Sequence, residues 1–234
     1  MAKGTPFSVD GRIVTSKLEI AMNSPGNFDE FRNPTAEIVL MNVREASAAL
    51  VEHHHASFTK AFMRSYQNFV WIEKESFIRD DRILAVVIEN DEVTAGLHYD
   101  RTEFSESPCI YFKGLFSNSR TKGLASRLIM RSFSYEAATR KESFGALATV
   151  RKYPDGSFNP AAVKVFSRLG FRAHSGVEVL ITASNRDRHL IASANTNTEG
   201  KCAFEVMHMY CADSDAREIA ATEANFREGE SWTK

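Results

Sequence analysis

A short basic segment follows an apolar run and precedes an amphipathic run, which is the order strand, turn, helix. The segment is Arg120-Thr-Lys-Gly-Leu-Ala125, and the apolar run before it spans residues 109–116. The first backbone N–H groups of a helix have no internal acceptor, and the helix dipole adds about half a positive charge there. Gly123 and Ala125 leave room for close approach of a ligand to the backbone, and Lys122 adds a mobile positive charge. The spacing therefore predicts a phosphate or diphosphate site, although it forms neither a Walker loop nor a GxGxxG loop.

A second segment predicts a short helix with a defined start and end. Asn159 is a residue type that caps helix N-termini, Pro160 suits the first helical position, and Gly170 suits the position after the end. The apolar residues between them share one face, at Ala162, Val163, Phe166 and Leu169. Before this segment, the continuous apolar run 144–150 predicts a strand that is covered on both faces.

Together the two segments resemble the GNAT family of N-acetyltransferases. In that family the third helix begins with (Arg/Gln)-x-x-Gly-x-(Gly/Ala), and the fourth lies in Asn-x-x-Ala-x-x-x-Tyr-x-x-x-Gly-Phe. Arg120-x-x-Gly123-x-Ala125 matches the first pattern fully, and residues 159–171 match the second except at Phe166. The resemblance implies an α/β (α+β) fold with a mixed, mostly antiparallel seven-stranded sheet. It also implies that this sheet is splayed between strands 4 and 5 and carries helices on both faces.

The resemblance further implies that acetyl-CoA, or another acyl-CoA, lies in the opening between these strands as the co-substrate. The backbone at Lys113 and Leu115 would pair with the pantetheine, amides near Leu115 would polarise the thioester carbonyl, and residues 122–126 would hold the pyrophosphate. The implied cofactor-binding residues are Lys113, Leu115, Phe116, Arg120, Lys122, Gly123, Leu124, Ala125, Ser126, Asn159 and Phe166. The implied reaction is direct attack of a primary amine on the thioester, which uses a base, an oxyanion site and an acid.

The catalytic acid is where the chain departs from the family. Families with an acid tyrosine keep it at the position of Phe166, which has no proton to donate. Either the thiolate leaves without a placed acid, or Tyr153 or Tyr111 substitutes. Glu103 and His98, near the third strand, are the candidate bases.

Three functions are compatible with these residues. The first is transfer of acetyl from acetyl-CoA to a primary amine of a small molecule or peptide. The second is transfer of a longer acyl group from acyl-CoA or an acyl carrier protein, giving an N-acyl amino acid or a lactone. The third is a non-catalytic acyl-CoA-binding regulatory module. Aromatic residues in the segment expected to cover the acceptor, such as Phe69, Trp71 and Phe77, favour an apolar or aromatic acceptor.

Composition limits the partners and the cellular location that we expect for the protein. The chain has 234 residues and a net charge of -1, with 43% hydrophobic and 25% charged residues, so it suits one domain with extensions. The near-neutral charge argues against a nucleic-acid partner, and the longest aliphatic run, 83–88, is too short for a membrane span. The N-terminus lacks the apolar region of a secretory signal, so a cytoplasmic location is expected. The sequence is compatible with a homodimer.

No metal is expected. Three consecutive histidines, His53, His54 and His55, point about 100° apart on a helix, whereas ligands on one face need a spacing of three or four. The run therefore predicts an exposed histidine stretch.

The chain divides into an N-terminal arm (1–36), an acyltransferase domain (37–212) and an acidic C-terminal tail or helix (213–234). Hydrophobic periodicity predicts a helix over 45–64 that continues over 69–78. Asn90 and Asp91 predict a tight turn between strands 83–88 and 93–99. The runs 177–181 and 203–210 predict a long hairpin.

Overall fold

The protein is described by a computed structural model, which covers residues 16–17, 37–65, 68–70, 72, 74–78, 82–90, 92–119, 121, 123–183, 195–196 and 202–221. Its centre is a sheet of seven main strands. They are β1 (Glu37–Asn42), β2 (Arg82–Glu89), β3 (Glu92–Phe104), β4 (Ser107–Ser117), β5 (Gly145–Arg151), β6 (Arg172–Ala183) and β7 (Cys202–Cys211).

The strand order is β1-β2-β3-β4-β5-β7-β6, and all neighbouring pairs are antiparallel except β4 and β5, which are parallel. Two strands of two residues each, Ser16–Lys17 beside β1 and Asn195–Thr196 beside β7, extend the sheet. The expected mixed, mostly antiparallel sheet is confirmed, and so is the antiparallel pair formed by β6 and β7.

Helices cover both faces of the sheet, as expected. They are α1 (Ala48–Arg64), α2 (Lys74–Phe77), α3 (Leu124–Thr139) and α4 (Pro160–Arg168), and residues 213–221 are also helical. Alternate residues of β2 show the two layers: Ile83, Ala85 and Val87 belong to the core beneath α3 and α4, whereas Leu84 and Val86 belong to the core beneath α1 and α2. Among the described residues, no helix is long and apolar enough to cross a membrane.

Local sequence signals place the turns and helix ends correctly. Asn90 adopts φ 53° in the turn between β2 and β3, and Gly170 adopts φ 81° after α4. The side-chain oxygen of Asn159 accepts hydrogen bonds from the backbone N–H groups of Ala161 and Ala162, and Pro160 begins α4. These contacts satisfy amides that would otherwise lack acceptors at the helix start.

The prediction of a continuous helix over 69–78 is wrong. Only Lys74–Phe77 is helical within the described part of this segment. The carbonyl of Phe69 accepts a hydrogen bond of 2.7 Å from Nη1 of Arg151, and Phe69 packs against the α1-side core together with Val70 and Ile72. A contact from a distant strand thus overrides the local helical periodicity.

The prediction of an exposed histidine run is wrong at its middle residue. His54 is fully buried, whereas His53 is exposed. His54 lies four residues after Leu50 and four before Phe58, and both of these residues are also buried. The apolar face of α1 therefore carries an imidazole into the core.

The predicted arm and tail lie mostly outside the described residues. In the tail, helical residues 213–221 contribute Ala216 and Ala220 to the core beneath α3 and α4. The hydroxyl of Ser134 on α3 donates a hydrogen bond of 3.3 Å to the carbonyl of Ala220. This helical part therefore packs on the domain.

Candidate active site

The paired part of β4 and β5 is short, and the two strands separate beyond it. Their parallel register runs from Cys109 opposite Gly145 to Phe112 opposite Ala148. Strand β4 then continues to Ser117 and β5 to Arg151 without pairing to each other. The expected splay between strands 4 and 5 is therefore present.

A cavity of about 490 Å³ occupies the opening between the separated strands. Strand β4 lines it with residues 111–117, and β5 lines it with Thr149 and Arg151. The helix side is formed by Ala125, Asn159, Ala161, Ala162, Val165 and Phe166. The opposite side is formed by Phe58, Asn68, Phe69, Val70, Ile72 and Arg82. The cavity thus has one wall next to the two motif segments and a second, largely apolar wall next to α1.

Most of the residues expected to bind coenzyme A meet at this cavity. Lys113, Leu115, Phe116, Ala125, Asn159 and Phe166 line it. Gly123, Leu124 and Ser126 lie at the start of α3 beside Ala125. Arg120 and Lys122 lie outside the described residues.

Gly123 fits the expected phosphate-binding role. It is the N-cap of α3 with φ 80°, and no side chain caps the helix there. The first amides of α3 are left by helix geometry without an internal acceptor, which suits an anion. This helix start and the unpaired edge of β4 are the two features that the sequence prediction assigns to coenzyme A.

Lys113 occupies an irregularity in β4. Tyr99 pairs with Phe112 and His98 pairs with Gly114, so Lys113 is an extra residue between two paired positions. Its Nζ lies 2.9 Å from Oδ2 of Asp100 and 5.1 Å from the ring centre of Tyr111. The bulge therefore holds an ammonium group at the cavity wall.

Asp100 is buried behind the cavity and is paired with Arg82. Nε of Arg82 donates to Oδ1 of Asp100 at 2.7 Å, and Nη2 donates to Oδ2 at 3.0 Å. Burial alone would raise the pKa of Asp100, but the hydrogen bonds and positive charges of Arg82 and Lys113 outweigh it and lower the pKa below its ordinary value. Asp100 is therefore ionised at neutral pH.

A second cluster of polar side chains joins strands β4, β5 and β7. The hydroxyl of Tyr111 lies 2.5 Å from that of Thr149, and Nε2 of His208 lies 3.4 Å from the Tyr111 hydroxyl. Thr149 of β5 pairs directly with His208 of β7. Sequence reasoning selected Tyr111 but missed Thr149 and His208 as its neighbours, because strand order and register bring them together and no local motif reports either.

Tyr153, the other candidate acid, is engaged elsewhere. Its hydroxyl donates to the side-chain oxygen of Asn68, and Asn159 Nδ2 donates to the Asn68 carbonyl at 3.3 Å. Burial, followed by the negative charge of Asp155, raises the pKa of Tyr153. Tyr153 does not line the cavity, so it fixes the segment at Asn68 from outside.

The two candidate bases do not line the cavity. Glu103 is exposed and pairs with Pro108, which precedes Lys113 by roughly 16 Å of extended strand. His98 is fully buried beneath β4, where a Cβ added to Gly114 would come within 2.1 Å of its Cε1. Burial lowers the pKa of His98 well below its ordinary value.

Phe166 packs between the cavity and the core. It is 4% exposed, and its ring lies 5.0 Å from that of Phe171 and 6.5 Å from that of Phe112, centre to centre. No tyrosine stands at this position, so the protein offers no phenol there.

Among the described residues, no group of three or more His, Cys, Asp or Glu side chains could hold a metal ion.

Comparisons with known proteins agree with this architecture, although no protein-family model matches the chain. The chain is 27% identical over 134 residues to mycothiol acetyltransferase of Rothia mucilaginosa, which covers 53% of this chain and 36% of that protein. The chain thus spans little more than a third of that relative's length.

Two solved structures are similar in shape. An acyl-CoA N-acyltransferase from Pseudomonas aeruginosa superposes with a TM-score of 0.50 at 11% identity, covering 75% of this chain and 99% of that one. A spermidine N-acetyltransferase from Vibrio cholerae, in complex with CoA and spermine, superposes with a TM-score of 0.48 at 13% identity, covering 76% and 97%. The fold that the resemblance implied, a splayed seven-stranded sheet with helices on both faces, is confirmed.

Proposed function

We propose that the protein is an N-acetyltransferase that moves acetyl from acetyl-CoA to a primary amine by direct attack. The observation that carries the proposal is the separation of β4 and β5 around a cavity whose walls contain both motif segments. The similarity to a mycothiol acetyltransferase supports acetyl as the transferred group. The acceptor is an amine of a small molecule or peptide.

In this proposal, different residues bind the two parts of coenzyme A and stabilise the charge that develops in the reaction. The backbone of Lys113 and Leu115 binds the pantetheine arm, and residues 123–126 bind the pyrophosphate. Asn159 caps α4 and fixes its start at the cavity. When bound, acetyl-CoA supplies an activated thioester. In this proposal, a β4 amide near Leu115 stabilises negative charge on the thioester oxygen.

Tyr111 is the proposed proton donor. It lines the cavity, whereas Tyr153 does not. Thr149 and His208 lie beside its hydroxyl and hold the proton-bearing oxygen in one orientation. His208 is half-buried, and its Nε2 lies 3.4 Å from the Tyr111 hydroxyl.

The test measures release of the coenzyme A thiol from acetyl-CoA with a panel of amines, beside a control without amine. We expect release of the coenzyme A thiol that depends on the amine, with formation of an equal amount of acetylated amine. Tight acetyl-CoA binding without release for any amine would instead support a non-catalytic binding module. Release from a long-chain acyl-CoA but not from acetyl-CoA would support the longer-chain transferase.

A further inference from the structure

The charged side chains that line the cavity are cationic. Arg82, Lys113 and Arg151 line it, and none of the described lining residues is Asp or Glu. Asp100 lies behind the wall and is the carboxylate to which both Arg82 and Lys113 bind. Among the described residues, the two cations Arg82 and Lys113 therefore share one carboxylate.

Lys113 is the more accessible of the two cations bound to Asp100. Arg82 and Asp100 form a two-bond pair in which both side chains are almost fully buried. Lys113 makes one contact with Asp100, at 2.9 Å, and its side chain is 29% exposed. An ammonium group has three N–H donors, so Lys113 keeps donors for a ligand after binding Asp100.

Arg151 adds a fixed charge on the facing strand. It is 5% exposed, and its Nη1 donates to the carbonyl of Phe69 at 2.7 Å. Because Phe58, Phe69 and Val70 form an apolar wall nearby, these charges act in surroundings less polarisable than water. A cationic acceptor such as a polyamine would be repelled there, and an anionic group would be attracted.

The ammonium group of Lys113 at the cavity also suits the chemistry of an amine. A nearby positive charge favours the neutral form of an amine over its ammonium form, and the neutral form is the nucleophile. An acceptor that carries its own negative group gains binding energy from the same charges. Both effects favour an amine with a carboxylate attached.

We propose that the acceptor is a small apolar amine bearing a carboxylate, of the amino acid class, and that the Lys113 side chain binds this carboxylate. The proposal rests on the N-acetyltransferase function proposed above. The apolar wall formed by Phe58, Phe69 and Val70 contacts the side chain of the acceptor, and Lys113 binds its carboxylate.

The test is calorimetric titration of L-leucine, L-methionine and L-phenylalanine, each beside its carboxamide, into protein saturated with coenzyme A. The amino acids are expected to bind at least about tenfold more tightly than the amides, about 1.4 kcal/mol. Lys113→Met should remove this preference and leave the affinity for the amides unchanged. The variant keeps the β4 backbone, and its melting temperature checks the fold.

Lys152→Met is the matched control. Lys152 is also paired with one carboxylate, that of Glu205, at 3.1 Å, and its side chain is 24% exposed, but it does not line the cavity. This variant should keep the preference for amino acids.

Equal affinity for amino acids and amides overturns the inference, as does the absence of amino acid binding. An equal loss of both affinities in a folded Lys113→Met variant also overturns it. Coenzyme A is titrated first, which separates the two claims. Failure to bind coenzyme A contradicts the proposed function as well, whereas normal coenzyme A binding without a carboxylate preference contradicts this inference alone.

Discussion

The hydroxyl of Tyr111 on β4 contacts the hydroxyl of Thr149 on β5 where the two strands begin to separate. Both residues line the cavity, so the contact places a phenolic proton at the base of the opening. The position usual for an acid tyrosine in the GNAT family is occupied by Phe166, which is packed into the core. In the proposed mechanism, Tyr111 on the sheet takes the role that the family's tyrosine has on the fourth helix.

Replacing Tyr111 by Phe is expected to lower kcat by about 10²-fold, the usual range for a placed acid, without changing the affinity for coenzyme A. Tyr153→Phe is the matched control and should keep near-normal turnover, because Tyr153 does not line the cavity and its hydroxyl is bound to Asn68. Steady-state kinetics with a saturating amine and calorimetric titration of coenzyme A check both variants. A large loss in Tyr153→Phe with normal turnover in Tyr111→Phe would reverse the assignment.

Gly123→Val is expected to weaken coenzyme A binding at least about tenfold, or 1.4 kcal/mol, because the side chain obstructs the backbone at the start of α3. The control is Gly156→Val. Gly156 has a similar φ of 87°, against 80° for Gly123, but lies in an exposed turn with nothing within 4 Å of an added Cβ. Both variants therefore carry similar backbone strain. Unchanged affinity in a folded Gly123→Val variant would remove the phosphate site from residues 123–126.

Phe166→Ala is expected to destabilise the fold by about 3–5 kcal/mol, the usual cost of removing a buried aromatic ring. Phe166→Tyr should leave turnover close to that of the wild type, since the site already has Tyr111. Denaturant unfolding and steady-state turnover provide the two readouts. A Phe166→Tyr enzyme many times faster than the wild type would show that an acid was missing, and would favour the non-catalytic module.

The buried histidines predict a loss of stability in mild acid. Burial lowers the pKa of His54 from 6.5 to about 3, and burial lowers that of the adjacent His98 as well. Below pH 6.5 the unfolded chain binds protons that the folded chain does not, so the free energy of unfolding falls with pH down to about 3. For one such group the slope is about 1.4 kcal/mol per pH unit.

Urea unfolding at pH 5 and at pH 6.5 checks this prediction, because most carboxylates remain ionised over that interval. His54→Leu removes one of the two groups and should reduce the slope. A wild-type protein equally stable at both pH values would contradict buried, neutral imidazoles.

Those parts of the fold that depend on local chemistry were predictable from the sequence. Asn159, Pro160 and Gly170 specify α4 by capping and backbone preference, and Asn90 specifies a turn. The order of strand, Gly123 turn and helix, together with the second motif, was enough to indicate the GNAT fold. These signals act within a few residues, so they can be recognised without knowledge of the tertiary structure.

Features that depend on distant residues were not predictable. His54 enters the core because α1 packs on the sheet, and the segment at Phe69 is held by Arg151 from another strand. The turn between β3 and β4 uses positive φ at Ser105 and Glu106, residue types that carry no strong turn signal. Glu103 was chosen as a candidate base because it is near the third strand in sequence. It lies far from the opening, because strand register, and not position in the sequence, decides which residues meet there.

Amide hydrogen exchange with and without coenzyme A reports where on the chain the ligand binds. We expect slower exchange at residues 113–117 of β4 and 123–126 of α3 on adding coenzyme A, with no change at the β3–β4 turn at residues 105–106. Saturable binding of coenzyme A without protection in β4 and α3 would show that the ligand occupies another part of the protein, and would contradict binding between β4 and β5.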